Sequence, residues 1–243
     1  MTVKSRLLRI LLGVVAGLGL LAGGIGVLIR TLGEREVLYQ GKSWCYWSEQ
    51  IKSQDPAATN QASLVLNREI IPLLTKTLLE DTNDSRLRVT LVQELNALPG
   101  VNIFFQGADR RRAEAAAGLG RFGPPAEAAV PTLLQALQGQ DLAVRAPAAV
   151  SLGQIQAKPE TVIPLLASYL DDDDLKEAAV EGLGEYGSRS KIVIPKLLSL
   201  FKVRDKGLHH AVEEALKKID PDAAAQAGVR IDRSPTFPKT GDR

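Results

Sequence analysis

Two unrelated residue patterns run through this chain on one period. Leu119, Leu152, Leu183 and Leu216 each close an Ala-rich stretch, at intervals of 33, 31 and 33 residues. Seven residues before each stands a basic or imidazole side chain: Arg112, Arg145, Lys176 and His209. Between these stretches a proline follows a β-branched residue at Val130-Pro131, Ile163-Pro164 and Ile194-Pro195, and these prolines are 33 and 31 residues apart. Ile71-Pro72, and Arg88 with Leu95 in "SRLRVTLVQELNALPG", fit as an earlier copy. Two features locked to one interval describe a supersecondary unit repeated in tandem. Such a unit cannot bury its apolar face alone and must stack on its neighbours.

Each unit reads as two helices joined by a short turn. Aromatic residues make up only 5% of the chain, while Ala and Leu are abundant, a balance that suits helices over sheets. The residues one before, two after and six after each proline are Val130, Leu133 and Leu137, then Ile163, Leu166 and Leu170, then Ile194, Leu197 and Phe201. Those offsets make one face of a 3.6-residue helix. Proline is then expected in the first turn, where its missing N–H would have had no acceptor. The first helix of each unit offers Ala115, Ala148, Ala179 or Val212, small enough for neighbouring helices to come close. The expected fold class is all-α, an α-solenoid over residues 56–224.

Gly118-x-Gly120-x-x-Gly123 and Gly182-x-Gly184-x-x-Gly187 have the spacing of a dinucleotide-binding loop. That loop follows a strand and opens a helix. Here both glycine sets follow helical runs, "DRRRAEAAAGL" and "LKEAAVE", so the order is reversed. Gly120, Gly123, Gly184 and Gly187 are expected to end helices and admit a tight turn, where a positive φ costs glycine little.

The stretches "VRAPAAVSLGQI", "RAEAAAGLGRFGPPAEAAVPTLLQAL" and "LKEAAVEGLGEYGSRSKIVIPKLLSL" resemble HEAT repeats, in particular the short type of phycobilisome-lyase-like proteins. The resemblance covers about residues 57–219 and implies a right-handed α-solenoid that serves as a protein-binding adaptor without catalysis. A tetrapyrrole-handling subunit like the bilin lyases is the alternative it leaves open. One departure is the interval of 24 residues between Leu95 and Leu119, where "ALPGVNIFFQGADRR" replaces a second helix with a loop or single turn. Phe104 and Phe105 there plug the core or, alternatively, bind a ligand. In HEAT-like solenoids the second helices line the concave surface. The positions one and four after each proline lie opposite the apolar face: Leu73 and Lys76, Thr132 and Gln135, Leu165 and Ser168, Lys196 and Ser199. These eight residues are the expected partner-binding strip, with Leu73 and Leu165 its informative members because a leucine on a solvated face has no packing reason to be there.

Several chemistries are disfavoured. Thirty Lys and Arg against 28 Asp and Glu leave a formal charge of +2, with no basic field for nucleic acid. Cys45 is the single cysteine, so there is no disulfide framework and no Cys-rich zinc site. The run Asp171 to Asp174 lacks the spacers and turn glycine of a calcium loop. Asp84, Asp141, Asp172 and Asp205 each stand four residues before Arg88, Arg145, Lys176 and His209, so the acid is a repeat position, expected to cap the next helix and pair with the base one turn on. His209 and His210 are the only histidines and, being adjacent, diverge on a helix. The repeated His-Glu pairs of deoxyhypusine hydroxylase, an iron enzyme on a related scaffold, do not occur. No catalytic, cofactor-binding or metal-binding residue is expected.

The remaining segments flank the repeats. Residues 1–9 form a short basic tail with Lys4, Arg6 and Arg9. Residues 10–29, "ILLGVVAGLGLLAGGIGVLI", carry no polar side chain over 20 residues, which as a helix rises roughly 30 Å and spans a bilayer core. The expectation is a single-pass bacterial inner-membrane protein with a cytoplasmic N-terminus and an extracytoplasmic body; signal cleavage near Ala22 and Gly24 is the alternative. Gly13-x-x-x-Gly17 and Gly19-x-x-x-Gly23 offer a dimer contact through that span, or simply reflect glycine's frequency in such helices. Residues 30–55 read as a linker with a short helix bearing Trp44, Trp47 and Ile51, which either docks on the first repeat or rests in the membrane interface. Its Gly-Lys-Ser opening resembles that of anchored bacterial proteins with HEAT-like repeats. Residues 225–243 read as a flexible tail.

Overall fold

The structure is a computed structural model that describes residues 38–39, 42–82, 84, 89–90, 93, 107–203 and 205–230. Residues divide into two compact units, Met1–Ser43 with Thr82–Ala108, and Trp44–Asp81 with Asp109–Arg243. In the first, β1 (Leu38–Tyr39) and β2 (Lys42–Ser43) pair antiparallel, with Leu38 opposite Ser43 and Tyr39 opposite Lys42. The Asp84 carboxylate accepts from the Ala108 N–H at 3.0 Å.

The second unit is helical. It contains α1 (Trp44–Gln50), α2 (Pro56–Val65), α3 (Ile71–Glu80), α4 (Ala108–Arg121), α5 (Val130–Leu137), α6 (Leu142–Ile155), α7 (Pro159–Ser168), α8 (Lys176–Glu185), α9 (Ile194–Leu200), α10 (Lys206–Ile219) and α11 (Pro221–Gln226). Helix α8 packs between α6 and α10, α5 packs on α6, and α9 on α10, which is the stacking expected of tandem helix pairs. Leu119, Leu152, Leu183 and Leu216 are all fully buried, and Ala115, Ala148, Ala179 and Val212 are buried beside them. Of the apolar face, Val130, Leu133, Leu137, Ile163, Leu166, Leu170 and Leu197 are buried. Ile194 and Phe201, in the last pair, are only half-buried. Trp47 of α1 is buried, and α1 packs on α2.

The expectation for the prolines holds in part. Pro131 and Pro195 stand in the first turn of α5 and α9, each after a 3-10 segment, Pro124–Ala129 and Gly187–Val193. Pro164 instead lies inside α7, which begins at Pro159. Before Pro72 the chain makes a π-helical turn, Leu66–Ile70, so that Pro56 to Glu80 runs on as one helix. A proline cannot donate to the carbonyl four residues back and its ring crowds that carbonyl, so an added residue in the turn relieves the conflict.

The glycines divide into two kinds. Gly123 and Gly187 take φ of 66° and 57°, as the helix-ending reading requires. Gly120 and Gly184 stand next to last in α4 and α8, near the helix ends as expected, but their role is closer packing: the next first helix crosses there. A Cβ on Gly120 would stand 2.7 Å from Ser151 Cα, and one on Gly184 3.0 Å from Ala215 Cα. Gly153 is the same repeat position in α6, and a Cβ there would come within 2.4 Å of Gly182 Cα. Bare backbone is what lets α4, α6, α8 and α10 approach so closely.

The membrane placement is corrected. Among the described residues no helix is long and apolar enough to cross a membrane. The longest helical run, residues 56–80, carries Arg68, Glu69, Lys76 and Glu80, and charges at bilayer depth are costly. Residues 10–29, with their dimer contact, lie outside the described residues, as do Arg88, Leu95, Phe104, Phe105 and most of the tail from 231 onward.

Candidate functional site

The eight strip residues sit on α3, α5, α7 and α9, and none of them is buried. Leu73 is exposed at 42%. Lys76, Gln135, Ser168 and Ser199 are exposed, while Thr132, Leu165 and Lys196 are half-buried. The two leucines are therefore unequal: Leu73 faces solvent, and Leu165 is partly packed.

Polar groups along the strip are largely satisfied within it. Ser168 donates its hydroxyl to the Leu165 carbonyl at 2.7 Å, and Ser199 donates to Lys196 at 2.6 Å, each bonding back to its own helix. Lys76 lies 3.9 Å from Glu80, an exposed pair one turn apart. Lys196 pairs with Asp171 at the end of the preceding second helix, so this lysine links one repeat to the next. What remains available to a partner is apolar surface at Leu73 and part of Leu165, bordered by the amide of Gln135.

Charged repeat positions behave differently from the in-turn pairing expected. Two of the acids cap as predicted: Asp141 accepts from the Ala143 N–H at 3.0 Å, and Asp205 from Gly207 at 2.9 Å and Leu208 at 3.1 Å. Leu175 instead holds the N-cap of α8, and Asp172 accepts from the Asp174 N–H at 2.9 Å. Two of the bases, however, reach forward to the acid of the next repeat, whereas Lys176 pairs within its own turn, with Asp173 at 2.6 Å. Arg112 meets Asp141 at 2.5 Å and Arg145 meets Asp172 at 3.5 Å. Arg145 also donates to the Leu137 carbonyl at 3.0 Å and lies over the Tyr169 ring. At Asp141 one oxygen caps its own helix and the other meets the preceding repeat, so cap and cross-repeat pair share one residue. At the start of the series Arg111 forks onto Asp81 at 2.6 and 2.7 Å and holds its carboxyl below the usual range. His209 has no such reach and stacks on Phe201 at 4.1 Å.

Sequence reading missed one feature. Glu177, Glu181 and Glu185 recur every four residues along one side of α8, beside a groove of about 490 Å³ over α6 and α8 that Ala117 and Arg121 of α4 also line. Burial, then the neighbouring Glu177, and less strongly Glu185, push the Glu181 carboxyl up against the opposing pull of Lys218 and His210. The four-residue spacing was visible in the sequence, but nothing there placed small side chains opposite it. Among the described residues no group of three or more His, Cys, Asp or Glu side chains is placed to hold a metal ion.

Residues 107–184 match the family model described as HEAT repeats. No curated protein matches the chain at a significant level. Among solved structures the chain is similar to one in the complex of CpcE and CpcF of phycocyanin lyase from Nostoc sp. PCC7120, at 20% identity and a TM-score of 0.47, over 78% of this chain and 69% of that one. The described residues form a helical repeat array, of which residues 107–184 are similar to HEAT repeats.

Proposed function

We propose that this scaffold is a non-catalytic adaptor that holds a protein partner along the second helices. The observation that supports it is the accessibility of all eight strip positions across four second helices, with Leu73 exposed where solvation alone favours a polar residue. The cross-repeat pairs Arg112–Asp141, Arg145–Asp172 and Lys196–Asp171 hold successive repeats in fixed relation, which gives the strip the rigidity that binding without an ordering cost requires.

The test replaces Leu73 and Leu165 with Ser, checks helicity and melting by circular dichroism, and repeats crosslinking mass spectrometry in native extracts. Loss of the crosslinked partner with the fold intact is expected. Unchanged recovery of every partner would remove the strip, and a collapsed fold would place both leucines in the core. Visible absorbance of the purified protein would instead point to a tetrapyrrole-handling role.

A further inference from the structure

The first helices carry a second accessible surface, apart from the strip. Ala146, Pro147 and Val150 of α6 and Ala178 of α8 form the apolar floor of the groove of about 490 Å³, and Asp174 and Glu177 stand exposed on its rim with Glu181. The groove continues toward α10 through a second hollow of about 240 Å³ that shares Val150, Gln154 and Glu181 with the first and adds Glu185 and Glu214 together with Lys218 and His210. Among the described residues Glu185 is paired with Lys218 and Glu214 with Lys217, while Glu177 and Glu181 form no ion pair. Pro147 adds a further acceptor nearby, because it cannot donate to the Ala143 carbonyl one turn back. Small side chains on the floor leave room for a helix-sized ligand, and the carboxylates of Asp174, Glu177 and Glu181 outnumber Arg121, the one cation lining the groove, so the rim favours a positive ligand.

We propose that the α6–α8 groove docks a cationic helical segment of a protein partner, whose Arg or Lys side chains meet Glu177 and Glu181 while its small apolar residues rest on Ala146, Pro147 and Val150. The raised Glu181 carboxyl is consistent with this, since a partly desolvated carboxylate beside Glu177 is relieved by an incoming cation. The scaffold then has two independent faces, one apolar on the second helices and one acidic on the first.

The probe is a fluorescent helical peptide of about 18 residues with Arg on one face and Ala on the other. It is titrated against the full chain by anisotropy at about 50 and about 150 mM salt, with an all-Glu analogue as control. Micromolar binding of the Arg peptide is expected, weakened by about tenfold or more in Glu177→Gln/Glu181→Gln, and unchanged in Glu127→Gln/Glu160→Gln, whose carboxylates lie outside the groove. Hydrogen-exchange protection should appear on α6 and α8. Glu177→Lys, a change at an exposed site, gives the same loss should the double variant fold poorly. Equal binding by all variants, protection confined to other helices, or equal binding of the Glu peptide would overturn the proposal. Leu73→Ser/Leu165→Ser should leave peptide binding intact, so failure here and failure of the second-helix strip are separable.

Discussion

The interior of the stack and its C-terminal edge use the same repeat position in opposite ways. The residue after the core leucine is Gly120, Gly153 and Gly184 in α4, α6 and α8, but Lys217 in α10. Gly120 and Gly153 face the next first helix at a distance that leaves no room for a Cβ, and Gly184 at one that leaves it crowded. No first helix follows α10 among the described residues, and there the lysine is half-buried with its ammonium 2.9 Å from both Glu213 and Glu214. The requirement for glycine thus comes from the neighbour and disappears with it. Three residues further on the same contrast returns: Gly123 and Gly187 hold the left-handed turn, whereas Asp220 at the edge is extended and caps α11.

The largest effect expected from breaking this contrast is at the tightest interface. Gly153→Ala would force its Cβ against the Gly182 backbone, which cannot move aside as a side chain can. A loss of about 3 kcal/mol, measured by urea unfolding, is expected despite alanine's better helix propensity. Lys217→Ala should cost under about 1 kcal/mol, because it removes only partly exposed ion pairs. Equal costs at the two positions would mean that the glycines serve the helix and not the interface. Leu166→Ala tests the second helices on the same scale. Its side chain is fully buried and also approaches Gly182, so about 2–5 kcal/mol is expected, and a change below about 1 kcal/mol would put Leu166 on the wrong face.

The turns sharpen the comparison at smaller magnitude. Between α6 and α7 the left-handed position is held by Gln156, φ 59°, where its counterparts are Gly123 and Gly187. Its side-chain amide donates to the Glu185 carbonyl at 2.6 Å, and its amide oxygen accepts from Arg189 at 3.0 Å, so two bonds to the next repeat offset the strain. Gln156→Ala keeps the strain and loses both bonds, and should destabilise by about 1–3 kcal/mol. Gln156→Gly relieves the strain as it loses the bonds, and should fall nearer to zero. If the two variants melt alike, the side-chain bonds contribute nothing.

The smallest effects are those of pH, and their signs are opposite in the two regions. Glu181, in the interior, has a carboxyl raised above its ordinary 4.5, so the native state holds more protons and stability falls as pH rises through that window. Glu181→Gln should raise the melting temperature at neutral pH and leave it unchanged in acid. Asp220, at the edge, is lowered below 3.8 by the Lys191 ammonium and by N–H groups of α11, so its contribution is present above that value and is lost on acidification. Asp220→Asn should lower the melting temperature at neutral pH only. Matching slopes in both variants would contradict the assigned causes.

Helix pairing, the buried leucines and the accessible strip were legible in the sequence, because each depends on residues a few positions apart on one helix. The face bearing Leu133, Leu166 and Leu197 follows from 3.6-residue spacing alone. Contacts that depend on a neighbouring repeat were not legible. The reach of Arg145 to Asp172 in place of Asp141 in its own turn, the close approach of the next helix at Gly120 and Gly184, and the apolar floor opposite Glu177 and Glu181 all require the distance between helices far apart in the chain. A repeat period sets which residues share a face. Only the packing of one repeat on the next decides which of them touch, since that distance is set jointly by the side chains of both.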